Sequence, residues 1–173
     1  RKGPLGVNAL NLELQRLIQK KLYGVDVPLE KGLARARPLL HDKVIQRRNN
    51  YSLGIMTGAV GQVVGVERKT GDLTVRFDGR EVTLKKTEGH LGDIDLAYCL
   101  TIHQVQGSEF PVAIVICHKS HAFQHHRNLL YTGVTRAKRA AVILGDAWGV
   151  RNCAAKVETS KRRTWLALIG GRS

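Results

Sequence analysis

Two segments of the sequence hold most of the side chains that could do chemistry. The first, Leu96–Pro111, brings hydroxyl, imidazole, amide and carboxylate groups together around Gly107. The second, Asn128–Lys138, ends in the cations Arg136 and Lys138. The sequence has no G-x-x-x-x-G-K-[ST] loop to cradle phosphates, and its aspartates are too scattered to hold magnesium. We therefore expect that this chain alone does not bind and hydrolyse ATP efficiently.

A histidine-rich stretch between these segments suggests a metal site at first sight. His118, His121, His125 and His126 follow Cys117 closely. Zinc sites normally use tighter, recurrent spacings together with a second ligand pair. The pattern therefore favours a polar loop that holds no metal.

The three cysteines, Cys99, Cys117 and Cys153, are widely spaced and form no C-x-x-C pair. An odd count with this spacing argues against a disulfide framework. The sequence predicts buried, reduced thiols and a cytoplasmic location.

The charge of the chain points to a polyanionic partner. Its 173 residues include 28 Lys and Arg against 14 Asp and Glu, a net charge of +14. Residues 1–48 carry +7, residues 49–95 carry −1 and residues 96–173 carry +8. No apolar run approaches the roughly 18–20 residues that span a bilayer, so no membrane partner is expected. The start, Arg-Lys-Gly-Pro, suggests a fragment of a longer protein.

The N-terminal region predicts one amphipathic helix followed by a loop. Apolar residues recur with helical spacing between Asn8 and Leu22, at Leu10, Leu14, Leu17 and Ile18. Asn8 is the predicted N-cap, because its side chain can accept from an unpaired backbone N–H. Residues 24–38 are predicted to form a loop.

The near-neutral middle region predicts short antiparallel strands. Strands are expected at Lys43–Arg47, from Val60 to Val66 and from Leu73 to Phe77, where apolar and polar residues alternate. Asp78-Gly79 is typical of a two-residue type I′ turn into a strand at Arg80–Leu84. The strand lengths and tight turns predict a small SH3-like or OB-like barrel.

The C-terminal region predicts an α/β layer with a mostly parallel sheet. Val112–Cys117 and Ala141–Leu144 are apolar runs typical of buried parallel strands. Helical spacing between them covers Asn128–Lys138, and Tyr131 is expected to pack inside the sheet more readily than to stack on a base.

The two segments at Leu96–Pro111 and Asn128–Lys138 together resemble motifs V and VI of superfamily-one helicases. TIHQVQGSEF at residues 101–110 resembles the RecD-type (RecD/TraA family) DNA helicases in particular, as does the opening at residues 1–15. The resemblance implies an α/β, RecA-like domain 2A, formed by residues 1–42 and 90–173, with an inserted SH3-like 2B barrel at residues 43–89.

The resemblance also implies a role for each candidate residue in ATP-driven movement along single-stranded DNA. Arg136 is similar to the arginine finger of motif VI, and a guanidinium suits it because its charge is permanent and it bonds two phosphate oxygens at once. Gly107 and Glu109 would lie near the nucleotide. Thr101 and His103 match positions along the DNA track, and Gln106 could couple that track to the nucleotide. An N-terminal RecA-like domain of the same protein would supply the phosphate loop and the Mg²⁺ ligands for ATP.

Two departures from the family pattern affect the expected DNA contacts. Gln104-Val105 replaces the usual Lys-Ser, which removes a positive charge, and Thr57-Gly58-Ala59 replaces Asn-Gly-Asp at the entry to the insert. A stand-alone nucleic-acid-binding module without ATPase activity is the alternative reading. The neutral barrel could also be a protein-docking site.

Overall fold

The computed structural model describes residues 5–28 and 37–157. The chain divides between Gln104 and Val105 into an N-terminal and a C-terminal compact unit. Within the described residues no helix is both long enough and apolar enough to cross a membrane. Part of the predicted loop at residues 24–38, and the sequence after residue 157, lie outside the described residues.

Helix α1 (Val7–Tyr23) confirms the predicted helix but not its N-cap or its buried face. The N-cap is Gly6, and Asn8 lies in the first turn with its side chain exposed. The buried side chains of α1 are the amides Asn11, Gln15 and Gln19, whereas Leu17 is 57% exposed. Amides can be buried here because each one finds hydrogen-bond partners in residues far along the sequence.

Five antiparallel strands form the core of the N-terminal unit. They are β1 (Lys43–Gln46), β2 (Val60–Val66), β3 (Leu73–Phe77), β4 (Arg80–Leu84) and β5 (Ile94–Leu96). Asp78 and Gly79 both have positive φ, 46° and 81°, as the predicted type I′ turn between β3 and β4 requires. One face of each strand packs into a shared apolar cluster, which includes Val63, Val75 and Leu84.

The predicted closed barrel is not confirmed. The strand order is β4-β3-β2-β1-β5, so β4 and β5 are the edges of an open sheet in the part of the chain that the structure describes. The short strand β5 pairs with β1 through Val44 and Leu96, not with β4. Closure would need hydrogen bonds between the two edges.

The C-terminal unit contains a parallel strand pair and two helices. Strand β6 (Phe110–Cys117) pairs with β7 (Ala137–Gly145), and α2 (Arg127–Val134) and α3 (Ala147–Ala155) pack against them. Both predicted strands are confirmed, and the predicted helix ends four residues early because β7 begins at Ala137.

The sheet of this unit is parallel, as predicted, whereas the five-stranded sheet of the N-terminal unit is antiparallel. The expectation that both strands are buried is wrong. In β6 the side chains of Val115 and Cys117 are buried, but Ile114, which points to the opposite face, is 61% exposed. Strand β7 is exposed from Lys138 to Gly145.

Candidate functional site

Within the C-terminal unit, the parallel register brings the end of the first segment, residues 105–111, next to the end of the second, residues 128–138. Phe110 pairs with Ala137 at the start of the two strands, and the Phe110 N–H donates to the Arg136 carbonyl at 2.8 Å. Parallel strands begin at the same edge of a sheet. Glu109 and Arg136, which precede β6 and β7, are therefore neighbours at this amino-terminal edge.

The Arg136 side chain is held by backbone carbonyls. Its Nη1 donates to the Ser108 carbonyl and its Nε to the Thr132 carbonyl, both at 3.2 Å. The side chain is half-buried in the turn between α2 and β7. Within the described residues it forms no ion pair with a carboxylate, and its remaining N–H donors have no protein acceptor. The arrangement orients a cation without neutralising it, which suits an anionic ligand.

Glu109 forms an ion pair with Lys138, whose Nζ lies 3.0 Å from Glu109 Oε2. Both side chains are more than half exposed, so the pair contributes little to stability. The carboxylate keeps capacity to accept from a hydroxyl. The basic run of Arg136, Lys138 and Arg139 predicts contact with a phosphate backbone, and the parallel register places Lys138 next to the residue before β6.

Gly107 lies in an exposed turn in which the Ser108 N–H donates to the Val105 carbonyl at 2.9 Å. Its φ is +89°, and an added Cβ would meet nothing within 4 Å. A glycine is therefore favoured here by the backbone conformation and not by lack of space. The exposed main chain is accessible to a ligand.

The three predicted DNA-track residues have different surroundings. The Thr101 N–H and hydroxyl both donate to Gln104 Oε1 at 2.9 Å, and the Gln104 N–H donates to the Thr101 carbonyl. His103 and Gln106 have exposed side chains. Thr101 and His103 belong to the N-terminal unit, whereas Gln106 belongs to the C-terminal unit. Gln104, a position that departs from the family pattern, thus shapes the loop.

The histidine-rich stretch lies beyond the opposite, carboxyl-terminal edge of β6. His118 and His126 are N-caps: the Nδ1 of His118 accepts from the Ser120 N–H and the Nδ1 of His126 from the Leu129 N–H. No group of three His, Cys, Asp or Glu side chains that could hold a metal occurs in residues 5–28 and 37–157. Asp146 caps α3 through Gly149, and hydrogen bonds from the Lys119 and Gly149 N–H groups lower its pKa.

His125 is buried, and its Nε2 has no hydrogen-bond partner in the described part of the chain. Its Nδ1 lies 3.2 Å from Asn152 Nδ2. Burial, followed by the nearby charge of His121, lowers the pKa of His125. Tyr131 is 70% exposed, so its expected packing inside the sheet is wrong for the described residues.

The three cysteines are free thiols, with Cys117 and Cys153 buried and Cys99 half-buried. Burial, with the neighbouring Cys153 thiol as a further cause, raises the pKa of Cys117 to about 11. Burial also raises the pKa of Cys99. Cys99 and Cys117 are therefore poor nucleophiles at neutral pH, which agrees with the predicted structural role.

Comparison with known proteins identifies relatives of this chain. The UvrD-like helicase C-terminal domain matches residues 96–144, which include the segments Leu96–Pro111 and Asn128–Lys138. The ATP-dependent RecD2 DNA helicase of Deinococcus radiodurans is 36% identical over 169 residues, which cover 98% of this chain and 22% of that protein. The chain is a homologue of RecD-type helicases. The predicted family resemblance is confirmed.

Other relatives agree with the RecD-type assignment. The RecBCD enzyme subunit RecD of Mycobacterium tuberculosis is 31% identical over 156 residues, which cover 90% of this chain and 25% of that subunit. The chain thus spans about a quarter or less of the length of these relatives. A crystal structure of the Pif1 helicase from Bacteroides, in complex with ADP-AlF3 and ssDNA, matches with a TM-score of 0.55 and 17% identity, over 93% of this chain and 42% of that one. This likeness supports the α/β helicase fold.

Proposed function

We propose that this RecD-type chain is the C-terminal part of an ATP-dependent, 5′-to-3′ DNA helicase. Its residues 1–42 and 90–173 would form domain 2A, and residues 43–89 an SH3-like 2B insert. Arg136 would act as the arginine finger, with Gly107 and Glu109 facing the nucleotide. The observation that carries the proposal is the Arg136 guanidinium, which two backbone carbonyls orient and no described carboxylate neutralises.

The chemistry of phosphoryl transfer explains why this arrangement would be effective. Negative charge spreads over the oxygens of the transferred group, and a preoriented cation stabilises it with little reorganisation. The bonds to Ser108 and Thr132 fix the plane of the guanidinium, and the remaining N–H groups can donate to phosphate. Glu109, near the same edge, can accept from a ribose hydroxyl.

The Mg²⁺ that accompanies ATP would be held elsewhere. The described residues contain no group of three metal-ligating side chains, and Glu109 is already paired with Lys138. An N-terminal RecA-like domain of the full-length protein would supply the magnesium ligands and the phosphate loop. When bound, Mg²⁺ neutralises phosphate charge and orients the transferring group.

Single-stranded DNA is the proposed polyanion. Thr101, His103 and Gln106 would contribute to its track, and the net charge of +14 supports binding to the phosphate backbone, which is independent of sequence and weakened by salt. The near-neutral 2B region has no electrostatic reason to bind DNA, so a protein partner is proposed for it.

The test is the ATPase activity of the full-length protein that carries this chain, with and without single-stranded DNA. Arg136→Ala is expected to lower kcat by about 10³–10⁵-fold and to leave KM for ATP within about tenfold. Arg136→Lys keeps one charge but loses the two-carbonyl geometry, so it should recover little of the activity.

Arg139→Ala is the matched control, because Arg139 is exposed on β7 three residues later. It should retain turnover close to that of the unmodified protein. Unchanged turnover in Arg136→Ala would refute the finger assignment. DNA binding without any ATPase activity in the unmodified protein would favour a stand-alone nucleic-acid-binding module.

A further inference from the structure

An amide on α1 forms two hydrogen bonds with one peptide unit far along the chain. Asn11 Nδ2 donates to the Cys99 carbonyl at 2.8 Å, and the Cys99 N–H donates to Asn11 Oδ1 at 2.8 Å. Asn11 is 7% exposed, and the two residues are 88 positions apart. The side chain therefore satisfies both backbone groups of Cys99, as a neighbouring strand would.

The residue before Cys99 is connected to the same helix through a buried carboxylate. The Tyr98 hydroxyl donates to Asp42 Oδ1 at 2.8 Å. Gln15 and Gln19, one and two turns after Asn11, also donate to the Asp42 carboxylate. Two consecutive residues, Tyr98 and Cys99, are thus fixed to one face of α1, the first by its side chain and the second by its main chain.

This attachment occurs where regular structure has ended. Strand β5 stops at Leu96, and the Ala97 N–H donates to the Lys43 carbonyl at 2.8 Å. Thr101 and Gln104 form the next loop. Between Ala97 and that loop, the hydrogen bonds that the structure describes for the main chain are those from Asn11 to Cys99. Cys99 lies two residues before Thr101, so its position sets where the loop begins.

We propose that Asn11 is a positioning residue for the DNA track, acting through the Cys99 peptide on Thr101 and His103. This inference rests on the proposed function, in which those two residues contact single-stranded DNA. The role needs an asparagine. Aspartate has no N–H to donate and would place its charge against the Cys99 carbonyl, and alanine would leave both half-buried backbone groups of Cys99 without these partners.

The experiment compares Asn11→Ala and Asn11→Asp in the full-length protein with Asn8→Ala. Asn8 is the matched control because it lies on the same helix, one turn earlier, with an exposed side chain. Two quantities are measured: the Kd for a fluorescent oligothymidylate by anisotropy, and the DNA concentration that half-maximally stimulates ATP hydrolysis. The melting temperature, KM for ATP and DNA-independent turnover are measured alongside.

Both Asn11 variants are expected to weaken the two DNA constants by about tenfold or more, which equals about 1.4 kcal/mol. KM for ATP and DNA-independent turnover should stay within about twofold, since a positioning role affects the DNA step. Asn8→Ala should match the unmodified protein. Tyr98→Phe removes one hydroxyl from the same connection and should give a smaller shift in the same direction, even if an Asn11 variant folds poorly.

DNA constants equal to those of Asn8→Ala in well-folded Asn11 variants would overturn the proposal. A parallel fall in melting temperature, ATP parameters and DNA binding would also overturn it, because that pattern describes a purely structural residue. A different result would refute the proposed function: an unmodified protein that neither hydrolyses ATP nor binds the oligonucleotide.

Discussion

Replacing Asp42 by alanine is expected to destabilise the N-terminal unit by about 3–5 kcal/mol. Asp42 is fully buried, with 0% exposure. Its carboxylate accepts from Gln15, from Gln19 at 2.7 Å, and from the Leu39 N–H and the Tyr98 hydroxyl at 2.8 Å. It joins α1 to the start of β1 and to the segment after β5, so its loss affects three parts of the unit.

The size of this loss follows from the hydrogen-bond acceptors that each donor keeps once the Asp42 carboxylate is removed. Both glutamines keep a backbone carbonyl as a second acceptor, so they lose only part of their hydrogen bonding. The Leu39 N–H and the Tyr98 hydroxyl lose the acceptor described here, and each unpaired buried donor costs about 1–3 kcal/mol. Asp42→Asn keeps the shape of the side chain and one accepting oxygen, but its NH₂ group would face another hydrogen-bond donor. We therefore expect a destabilisation of about 2–3 kcal/mol.

Urea unfolding followed by circular dichroism measures these changes. Asp26→Ala is the control: Asp26 is exposed and pairs with Lys20, so its loss should change the free energy of unfolding by less than about 1 kcal/mol. A double-mutant cycle between Asp42→Ala and Tyr98→Phe should give a coupling energy of about 1 kcal/mol. A loss below about 1 kcal/mol for Asp42→Ala would show that the hydrogen bonds to this carboxylate do not hold the N-terminal unit together.

Three further predictions concern the backbone, a thiol and a histidine of the C-terminal unit. Gly107→Ala should cost about 1 kcal/mol in urea unfolding because φ is +89°, whereas Gly92→Ala, at a glycine without positive φ, should cost less; equal costs would contradict this. Burial raises the pKa of Cys117, so at pH 9 iodoacetamide should modify this thiol more slowly in the native than in the urea-unfolded protein, as followed by mass spectrometry, and equal rates would show that its environment is wrong. Burial lowers the pKa of His125, so protonation of its imidazole opposes folding. The stability that neutral His125 contributes is complete above the unfolded pKa of 6.5 and is lost as the pH falls from there towards the folded pKa. Urea unfolding at pH 7.5 and pH 5.5 should show that loss, and His125→Asn should reduce the dependence; an unchanged dependence in the variant would assign it to other groups.

Much of the sheet architecture could be predicted because its signals are local. Alternating residues in β3 and the Asp78-Gly79 turn define the β3–β4 hairpin within a dozen residues. The apolar runs of β6 and β7 likewise indicated a parallel pair. The closed barrel was not predictable in this way, because it depends on whether a short strand such as β5 pairs with β1 or with β4.

The buried face of α1 could not be predicted from periodicity. Its leucines and its amides both repeat with helical spacing, and hydrophobicity alone favours the leucines. The amides are buried because Asp42 and Cys99 lie opposite them, 23 or more residues away along the chain. Partners at that distance leave no local signal.

The candidate site was predictable to the extent that its motifs are contiguous. The strand register brings Glu109 and Arg136 to one edge of the sheet. The carbonyls of Ser108 and Thr132 that orient Arg136 carry no side-chain signal, so a sequence cannot reveal them. Their role follows only from the geometry.

The most direct test of the central claim is strand displacement by the full-length protein on duplexes with a single-stranded tail at one end. We expect ATP-dependent unwinding of a 5′-tailed duplex but not of a 3′-tailed one. Arg136→Ala should abolish that unwinding and Arg139→Ala should preserve it. A full-length protein that binds the tailed DNA yet unwinds neither duplex with ATP would show that it is not a helicase, and an Arg136→Ala variant that unwinds normally would show that Arg136 is not the arginine finger.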